Sequence, residues 1–418
     1  MFQKTVLSNG VSVLSETIPY VKSVTLGVWI GTGSRFEENY NHGVSHFIEH
    51  LLFKGTQKRS AKDIAETVDA VGGQLNAFTA KEHTCYYIKV IDTHTELGMD
   101  ILSDMILASK FDPEDIKRES EVVVEEIHMY EDSPDELVHD LHLDKVWSGH
   151  ALGRNILGTT ESVGGLDKGK IIDYYKTHYT ADNLVVAAAG NISHEKLVEL
   201  TQRYFGSLAG SKSLQNIEPP ILIPSRNIYG KDTEQAHLCL GTKSVPQDSP
   251  DLYAMHVLNN ILGGGISSRL FQSIREERGL AYSVYSYQTN YSDAGLFTIY
   301  AGTRPNNAVQ VIDLIAQNIT AIKQNGISEV ELTRSKEQLK GGLLLGLESS
   351  SSRMSRIGKL EITLGKYIPL EEVVSKIEAV KLSDLQKITN EFFARENICL
   401  TVLGPLKDTD LPKNLAEL

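Results

Sequence analysis

The alternation of apolar and polar residues predicts that the chain opens with β structure. Apolar positions alternate on both sides of Asn9-Gly10, a dipeptide typical of tight hairpin turns. Residues 21–31 alternate in the same way and are rich in β-branched residues, which predicts a further strand. Residues 74–80 and 83–91 predict an antiparallel strand pair.

Other segments carry apolar residues at helical spacing. One helix is predicted from about Gly43, and a second runs from Ser60, a favourable N-cap, to the pair Gly72-Gly73. Three longer helices are predicted over 95–109, 113–131 and 134–147. Because strands and helices do not follow a strict βαβ order, the pattern predicts an α+β fold in which helices cover one face of antiparallel-rich sheets.

The two halves of the chain resemble each other. Three kinds of segment recur in the same order: an apolar helix ending in glycines, a capped acidic helix, and a strand preceded by two aromatic residues. The pairs begin at His46 and Met255, at Phe111 and Ile327, and at His178 and Phe392. Residues 209–226 are rich in proline, glycine and serine, which predicts a linker. The sequence therefore predicts two duplicated domains, 1–208 and 227–418, joined by this linker.

The composition narrows the classes of function. The chain of 418 residues has 54 acidic and 41 basic side chains, a net charge of −13, which argues against nucleic acid as a partner. Cys85, Cys239 and Cys399 are too few and too far apart for a disulfide framework, so a reducing compartment is expected. The sequence has no signal-peptide pattern and no apolar stretch of about 20 residues. We therefore expect a cytoplasmic protein with no membrane partner.

The candidate chemistry lies in the segment His46-Phe-Ile-Glu49-His50, which has the pattern H-x-x-E-H. Residues four apart lie on one face of a helix, so His46 and His50 can direct their imidazoles at one metal ion, most typically zinc. Glu49 points to the same side and can act on a water molecule at the metal without being a ligand. The rest of the helix is apolar, and two histidines and a glutamate would be costly to bury there without a partner such as a metal.

A catalytic zinc site needs a third protein ligand from elsewhere in the chain. The helix over 113–131 offers four acids: Glu119, Glu121, Glu125 and Glu126. Glu119 and Glu126 are two helical turns apart and share a face with valines, whereas Glu121 and Glu125 fit a solvated face. Helical phase favours the pair Glu119 and Glu126 and leaves open which of them binds the metal.

These motifs together resemble those of the pitrilysin-type metallopeptidases, whose inverted zincin motif is H-x-x-E-H followed by E-x6-E. The resemblance spans essentially the whole chain and is greatest to the branch of the mitochondrial processing peptidase beta subunit and its bacterial homologues. It implies that Glu126 is the third ligand of one zinc ion per chain and that Glu119 steers a ligating histidine. It also implies that Asn76 and Ala77, in the stretch from Gly72 to Tyr86, contact substrate. The alternation of residues 74–80 predicts an edge strand, to which an extended peptide could add.

The second half repeats the architecture without the metal ligands. Met255, Leu258 and Asn259 stand where the H-x-x-E-H residues stand, and Gly342 lies opposite Glu126. The family resemblance implies that Arg275 and Tyr282, seven residues apart, complete an active site from the C-terminal domain. It also implies a homodimer that encloses a chamber, in which this pair serves the zinc site of the other subunit.

We therefore expect a zinc metalloendopeptidase acting on peptides or unfolded segments, with Glu49 as the general base. The first alternative is a non-catalytic partner or core subunit of a processing complex, but such relatives break the motif that is intact here. The second is an iron enzyme with two histidines and one carboxylate, which has no need of Glu49. The sequence does not name the physiological substrate.

Overall fold

A computed structural model describes residues 1–211 and 217–411. The chain forms two compact units, and both are assembled from segments that are not continuous in sequence. Unit 1 comprises Met1–His128, Asn155–Ile217 and Leu345–Tyr367, and unit 2 comprises Met129–Arg154, Glu218–Leu344 and Ile368–Leu418. The units thus differ from the two halves expected from the sequence. Of the expected linker, residues 212–216 lie outside the described residues.

The strands include those predicted from the alternating segments of the sequence before residue 92. In chain order they are β1 (Phe2–Val6), β2 (Ser12–Thr17), β3 (Ser23–Ile30), β4 (Gln74–Thr79), β5 (Thr84–Ile91), β6 (Leu184–Gly190), β7 (Ser225–Gly230), β8 (Ala236–Ser244), β9 (Ala281–Asn290), β10 (Gly295–Thr303) and β11 (Cys399–Gly404). The predicted hairpin at Asn9-Gly10 joins β1 to β2, and Gly10 has a φ of 101°, a conformation that favours glycine.

The helices include all those predicted from helical spacing before residue 150. They are α1 (Val44–Leu52), α2 (Ala61–Asp69), α3 (Thr95–Ala108), α4 (Pro113–Glu131), α5 (Pro134–Val146), α6 (Thr160–Gly164), α7 (Lys168–His178), α8 (His194–Phe205), α9 (Leu252–Leu262), α10 (Ala308–Asn325), α11 (Glu329–Gly346), α12 (Ser350–Leu364), α13 (Leu370–Ala379) and α14 (Leu382–Phe392). Among the described residues, no helix is long and apolar enough to span a bilayer.

The two sheets share one topology, which confirms the duplicated, antiparallel-rich α+β fold. The sheet of unit 1 has the order β1-β2-β6-β3-β5-β4, and the sheet of unit 2 has the order β7-β11-β8-β10-β9. Apart from the extra β1, each strand has an equivalent. In each sheet a single pair is parallel, β2 with β6 and β7 with β11, and the remaining pairs are antiparallel.

Helices cover both faces of each sheet, which corrects the expectation of one covered face. In unit 1, α1, α3 and α8 pack over one face, where Val24, Leu26 and Val28 of β3 are buried. The opposite face of β2, β3 and β6 is covered by α12, which lies in the other half of the chain. In unit 2, α5 covers β8 and β11 in the equivalent way. Sequence periodicity predicts α5, over residues 134–147, but does not reveal which sheet it covers.

Glycines permit the close approach of these covering helices. Trp29 of β3 is buried against α12, where its indole nitrogen lies 3.4 Å from the Met354 sulfur. A Cβ on Gly358 of α12 would lie 2.1 Å from the same indole nitrogen. Because the tryptophan ring is rigid and fully enclosed, any side chain at Gly358 forces the helix away from the sheet.

We therefore expect Gly358→Ala to lower the free energy of unfolding by about 1–3 kcal/mol, the usual cost of overpacking a core. The matched control is Gly342→Ala in α11, where a new Cβ meets no atom within 4 Å. That change should raise stability by up to about 1 kcal/mol, because alanine favours a helix. Urea denaturation measures both, and equal effects of the two substitutions would contradict the packing argument.

Candidate metal centre

The helix α1 is fixed at its N-terminus by a buried carboxylate. Gly43 precedes the helix with a φ of 92°, and a Cβ there would lie 2.6 Å from the Leu157 carbonyl oxygen. The two oxygens of Glu37 accept hydrogen bonds from the backbone nitrogens of Gly43 and Ser45, each at 2.8 Å. This carboxylate satisfies free amides and faces the positive end of the helix dipole, so it sets the position of the following turn.

Two helices bring three potential ligands together. His46 and His50 project from α1, and Glu126 projects from α4. The Glu126 Oε2 atom lies 3.7 Å from Nε2 of His46 and 3.5 Å from Nε2 of His50. Among the described residues this is the one group of three or more histidine, cysteine, aspartate or glutamate side chains whose ligand atoms all lie within 4.8 Å of one another.

The spacing and chemistry of this group fit zinc. Ligands held about 2.1 Å from one ion at tetrahedral angles lie about 3.4 Å apart, which is close to the two distances from Glu126. Two imidazoles and a carboxylate form a known set of ligands for catalytic zinc. Burial and the neighbouring His50 lower the pKa of His46 to about 3, so its imidazole is neutral at pH 7. Its Nδ1 is buried and has no hydrogen-bond partner in the described part of the chain.

A hydrogen-bonded pair orients His50. Its Nδ1 donates to Oε1 of Glu119 at 2.8 Å, which turns Nε2 towards Glu126. The other oxygen of Glu119 lies 2.6 Å from the Lys54 ammonium. Burial opposes both charges, yet these partners lower the pKa of the Glu119 carboxyl and raise the pKa of His50. Glu119 is therefore ionised, and the acids around His50 favour a positive charge at that position.

Glu49 lies beside the three ligand residues and outside their group. Its Oε2 accepts a hydrogen bond of 2.5 Å from the Thr79 hydroxyl at the end of β4. Burial raises the pKa of Glu49, the nearby Glu126 adds to that rise, and Thr79 and His50 partly offset it. A carboxylate with a raised pKa, held by one oxygen, is suited to accept a proton from a neighbouring molecule.

Comparison with known proteins identifies the family. The profile described as insulinase, peptidase family M16, matches residues 12–160, and the profile described as peptidase M16 inactive domain matches residues 165–339. A protein of Bacillus subtilis described as an uncharacterized zinc protease is 45% identical, over 97% of this chain and 98% of that protein. The chain belongs to peptidase family M16.

A second relative supports this assignment, and a solved structure shows the same fold. An uncharacterized zinc protease of Streptomyces coelicolor is 41% identical, over 97% of this chain and 90% of that protein. The crystal structure of a protease from Helicobacter pylori is 24% identical with a TM-score of 0.90, over 97% of this chain and 99% of that one. At that identity the structural likeness shows the fold. The predicted resemblance is confirmed at the level of the family, and its narrower branch stays a prediction.

The M16 matches also agree with the difference between the two halves. In unit 2 the helix equivalent to α1 is α9, which carries Met255, Leu258 and Asn259 instead of the metal-binding motif. Arg275 and Tyr282 lie together in unit 2, where the guanidinium of Arg275 is 4.7 Å from the centre of the Tyr282 ring. Tyr282 is 79% exposed. Their predicted catalytic role stays a prediction.

The candidate substrate strand lies at a sheet edge. Within the described residues β4 pairs with β5 alone, which confirms the predicted edge strand. Asn76 is exposed and Ala77 half-buried, and the amide of Ala77 donates to Oδ1 of Asn76 at 2.8 Å. Their predicted contact with substrate stays a prediction.

Three residues of the M16 site were not found from the sequence. Lys54 is four residues after His50, a spacing that suggests proximity but not that both side chains meet Glu119. Thr79 lies within the motif from Gly72 to Tyr86, but the motif does not show that its hydroxyl contacts Glu49. Glu37 lies in a loop, and only the folded chain brings its carboxylate to the backbone amides at the start of α1. Each becomes recognisable only when the elements are packed.

We expect Glu119→Gln to lower zinc affinity by roughly tenfold to hundredfold, the usual effect of removing an acid that orients a ligating histidine. The matched control is Glu121→Gln, two residues further along α4 and exposed to solvent. It should leave the affinity unchanged. Competition with a chelator measures both, and equal loss in the two variants would show that only the general charge of α4 matters.

Proposed function

We propose that this chain is a zinc-dependent metalloendopeptidase that hydrolyses peptide bonds in peptides or unfolded segments. The observation that carries the proposal is the convergence of His46, His50 and Glu126 beside a carboxylate, Glu49, that is not part of the ligand group. Family M16 membership and the relatives described as zinc proteases support the same chemistry. The alternative of a non-catalytic subunit gains no support from this site, because all four residues are present.

In the proposed mechanism His46, His50 and Glu126 would hold one zinc ion. Bound there, zinc would act as a Lewis acid towards the scissile carbonyl and lower the pKa of water to about 7. Glu49 removes a proton from the attacking water and later delivers it to the leaving amine. Thr79 holds one Glu49 oxygen, so the other is free to face the reactants. Glu119 keeps His50 in the tautomer whose Nε2 can bind the metal.

We also propose that substrate adds to the free edge of β4. The end of this strand carries Thr79, which contacts Glu49, so a peptide paired with β4 would run close to the proposed base. Recognition through backbone hydrogen bonds tolerates many side chains, which suits peptides and unfolded segments. The amide of Ala77 would exchange the Asn76 side chain for a substrate carbonyl.

The remaining proposals concern assembly and location. We place the chain in the processing-peptidase branch of the family and propose a cytoplasmic homodimer with one zinc ion per subunit. In that dimer Arg275 and Tyr282 of one subunit stabilise the charge that develops on the substrate carbonyl in the other. The contact between Arg275 and the exposed Tyr282 supports their action as a pair.

The replacement Glu49→Gln should abolish peptide hydrolysis while zinc stays bound. Glutamine can still accept the hydrogen bond from Thr79 but cannot act as a base, so a loss of about 10²–10⁴-fold is expected. Peptide turnover and metal content by mass spectrometry are measured on the same samples. Turnover within tenfold of the unaltered chain would exclude Glu49 as the general base.

Two further variants separate metal binding from catalysis in that experiment. Glu126→Gln should lose both zinc and activity, because it removes a charged ligand. The adjacent Glu125→Gln is the control, since the Glu125 side chain is 83% exposed. It should retain zinc and activity. Loss of zinc in Glu125→Gln but not in Glu126→Gln would reassign the third ligand.

Mixing two inactive chains tests the proposed dimer. Glu49→Gln and Tyr282→Phe should each be inactive alone. After subunit exchange the mixture should regain activity, because one of the two sites in a mixed dimer has both its own Glu49 and the Tyr282 of the other subunit. If exchange is verified by differently labelled chains and no activity returns, Tyr282 does not act across the dimer.

A further inference from the structure

The turn between β4 and β5 carries the hydroxyl that contacts the proposed base. Thr79 is the last residue of β4, and its hydroxyl donates to Glu49 at 2.5 Å. The turn is closed by a hydrogen bond of 2.8 Å from the Ala80 amide to the His83 carbonyl. A movement of this turn would displace the hydroxyl at the end of the strand, so the contact with Glu49 depends on what holds the turn.

The segment that follows β3 holds this turn through backbone contacts. The amide of Ser34 donates to the Ala80 carbonyl at 3.3 Å, and the amide of Arg35 donates to the Lys81 carbonyl at 2.8 Å. A Cβ on Gly33 would lie 2.0 Å from the Ala80 carbonyl oxygen, so a larger residue there would push the turn away. The turn therefore rests directly on the backbone of this segment.

A buried ion pair joins the side chains of the same two segments. Nη1 of Arg35 donates to Oε1 of Glu82 at 2.7 Å, and the two side chains are 3% and 10% exposed. Replacing a buried ion pair by apolar side chains of similar volume is often neutral or stabilising, so stability alone does not account for this pair. The pair does favour one position of the turn, because any shift separates two charges that are costly to bury apart.

The same segment is tied to the helix that carries the proposed base. The hydroxyl of Tyr174 in α7 lies 2.8 Å from the hydroxyls of both Thr32 and Ser45. It also donates to the Gly33 carbonyl at 3.3 Å. Because Ser45 is in the first turn of α1, residues 32–35 are linked to this helix as well as to the turn that ends β4. The segment thus sets the position of one relative to the other.

We propose that Arg35 and Glu82 are positioning residues, whose ion pair holds the Thr79 hydroxyl against Glu49. The pair acts through the backbone of the turn, which connects Glu82 to Thr79 over three residues. Without the pair the turn shifts, the hydrogen bond from Thr79 is lost, and the Glu49 carboxylate is free to rotate away from the attacking water. The inference rests on the proposed function and adds to it two residues that do not touch the reactants.

The test removes the pair as a whole, because the loss of one partner leaves a buried charge and can unfold the domain. Arg35→Met combined with Glu82→Gln keeps the approximate shapes of both side chains without their charges. The matched control is Arg59→Met combined with Asp104→Asn, which removes another ion pair of unit 1, with nitrogen and oxygen 2.8 Å apart. Glu82→Asp, which keeps the charge and shortens the side chain, replaces the double variant if the latter does not fold.

Peptide turnover is measured on zinc-loaded chains over a range of peptide concentrations. Loss of the pair should lower kcat by about tenfold to hundredfold, the effect expected when a reacting group is misplaced by about 1 Å. KM should change less than kcat, because Asn76 and Ala77 are held by their own pairing with β5. The control should leave kcat within about twofold of that of the unaltered chain.

A double-mutant cycle with Thr79→Val shows whether the pair acts through the hydroxyl. Thr79→Val alone should lower kcat, since it removes the hydrogen bond to Glu49. In a chain that already carries Thr79→Val, loss of the pair should change kcat by less than about twofold, because no hydroxyl is left to misplace. A merely structural role of the pair would lower kcat by the same factor in both backgrounds.

Amide hydrogen exchange follows the turn without relying on hydrolysis. The amides of residues 34, 35 and 80 should exchange faster after loss of the pair than in the control, because they form the hydrogen bonds at this contact. Unchanged exchange at these amides overturns the proposal, as does an equal loss of kcat in both Thr79 backgrounds, and in an active chain either result leaves the protease proposal standing. If exchange responds to the pair and no chain hydrolyses peptides, the protease proposal fails, although the pair holds the turn.

Discussion

The structure of the candidate site depends on the cost of keeping polar side chains on a buried helix. Desolvation disfavours charge on His46, Glu49 and His50: His46 stays neutral, whereas neighbouring groups compensate for the burial of Glu49 and His50. Glu119 pairs with His50, Thr79 donates to Glu49, and Glu126 faces both histidines. Nδ1 of His46 is left without a partner in the described chain. The polar contacts that offset the cost of burial also hold these side chains in the geometry that a metal ion needs.

The second half of the chain shows the same framework without this constraint. The strand order of the two sheets is equivalent, yet α9 carries apolar and neutral residues where α1 carries ionisable ones. No acid is then required opposite them, and glycine stands at the position equivalent to Glu126. The same fold occurs here with and without a candidate metal site, so function has to be argued from the side chains.

The site also relies on rigid support from the sheet of unit 1. Its residues come from α1, α4 and β4, and the sheet beneath them is packed on both faces. The close fit of Trp29 against Gly358 and Met354 of α12 leaves the sheet little room to shift. Because ligand geometry tolerates errors of only about 0.5 Å, such support from remote residues matters for a metal centre.

The sequence by itself determined the elements and most of the candidate ligands. Periodicity located the strands and helices of about the first 150 residues, since these depend on local spacing of apolar residues, and recurring segments indicated the duplication. The helical spacing of His46 and His50 was sufficient to pair them, but helical phase left Glu119 and Glu126 equivalent. The tertiary structure separated them: Glu119 bonds to His50 and Lys54, and Glu126 faces both Nε2 atoms. It alone assigned α12 and α5 to their sheets and brought Thr79 to Glu49, because such contacts join residues distant in sequence and leave no periodic pattern along the chain.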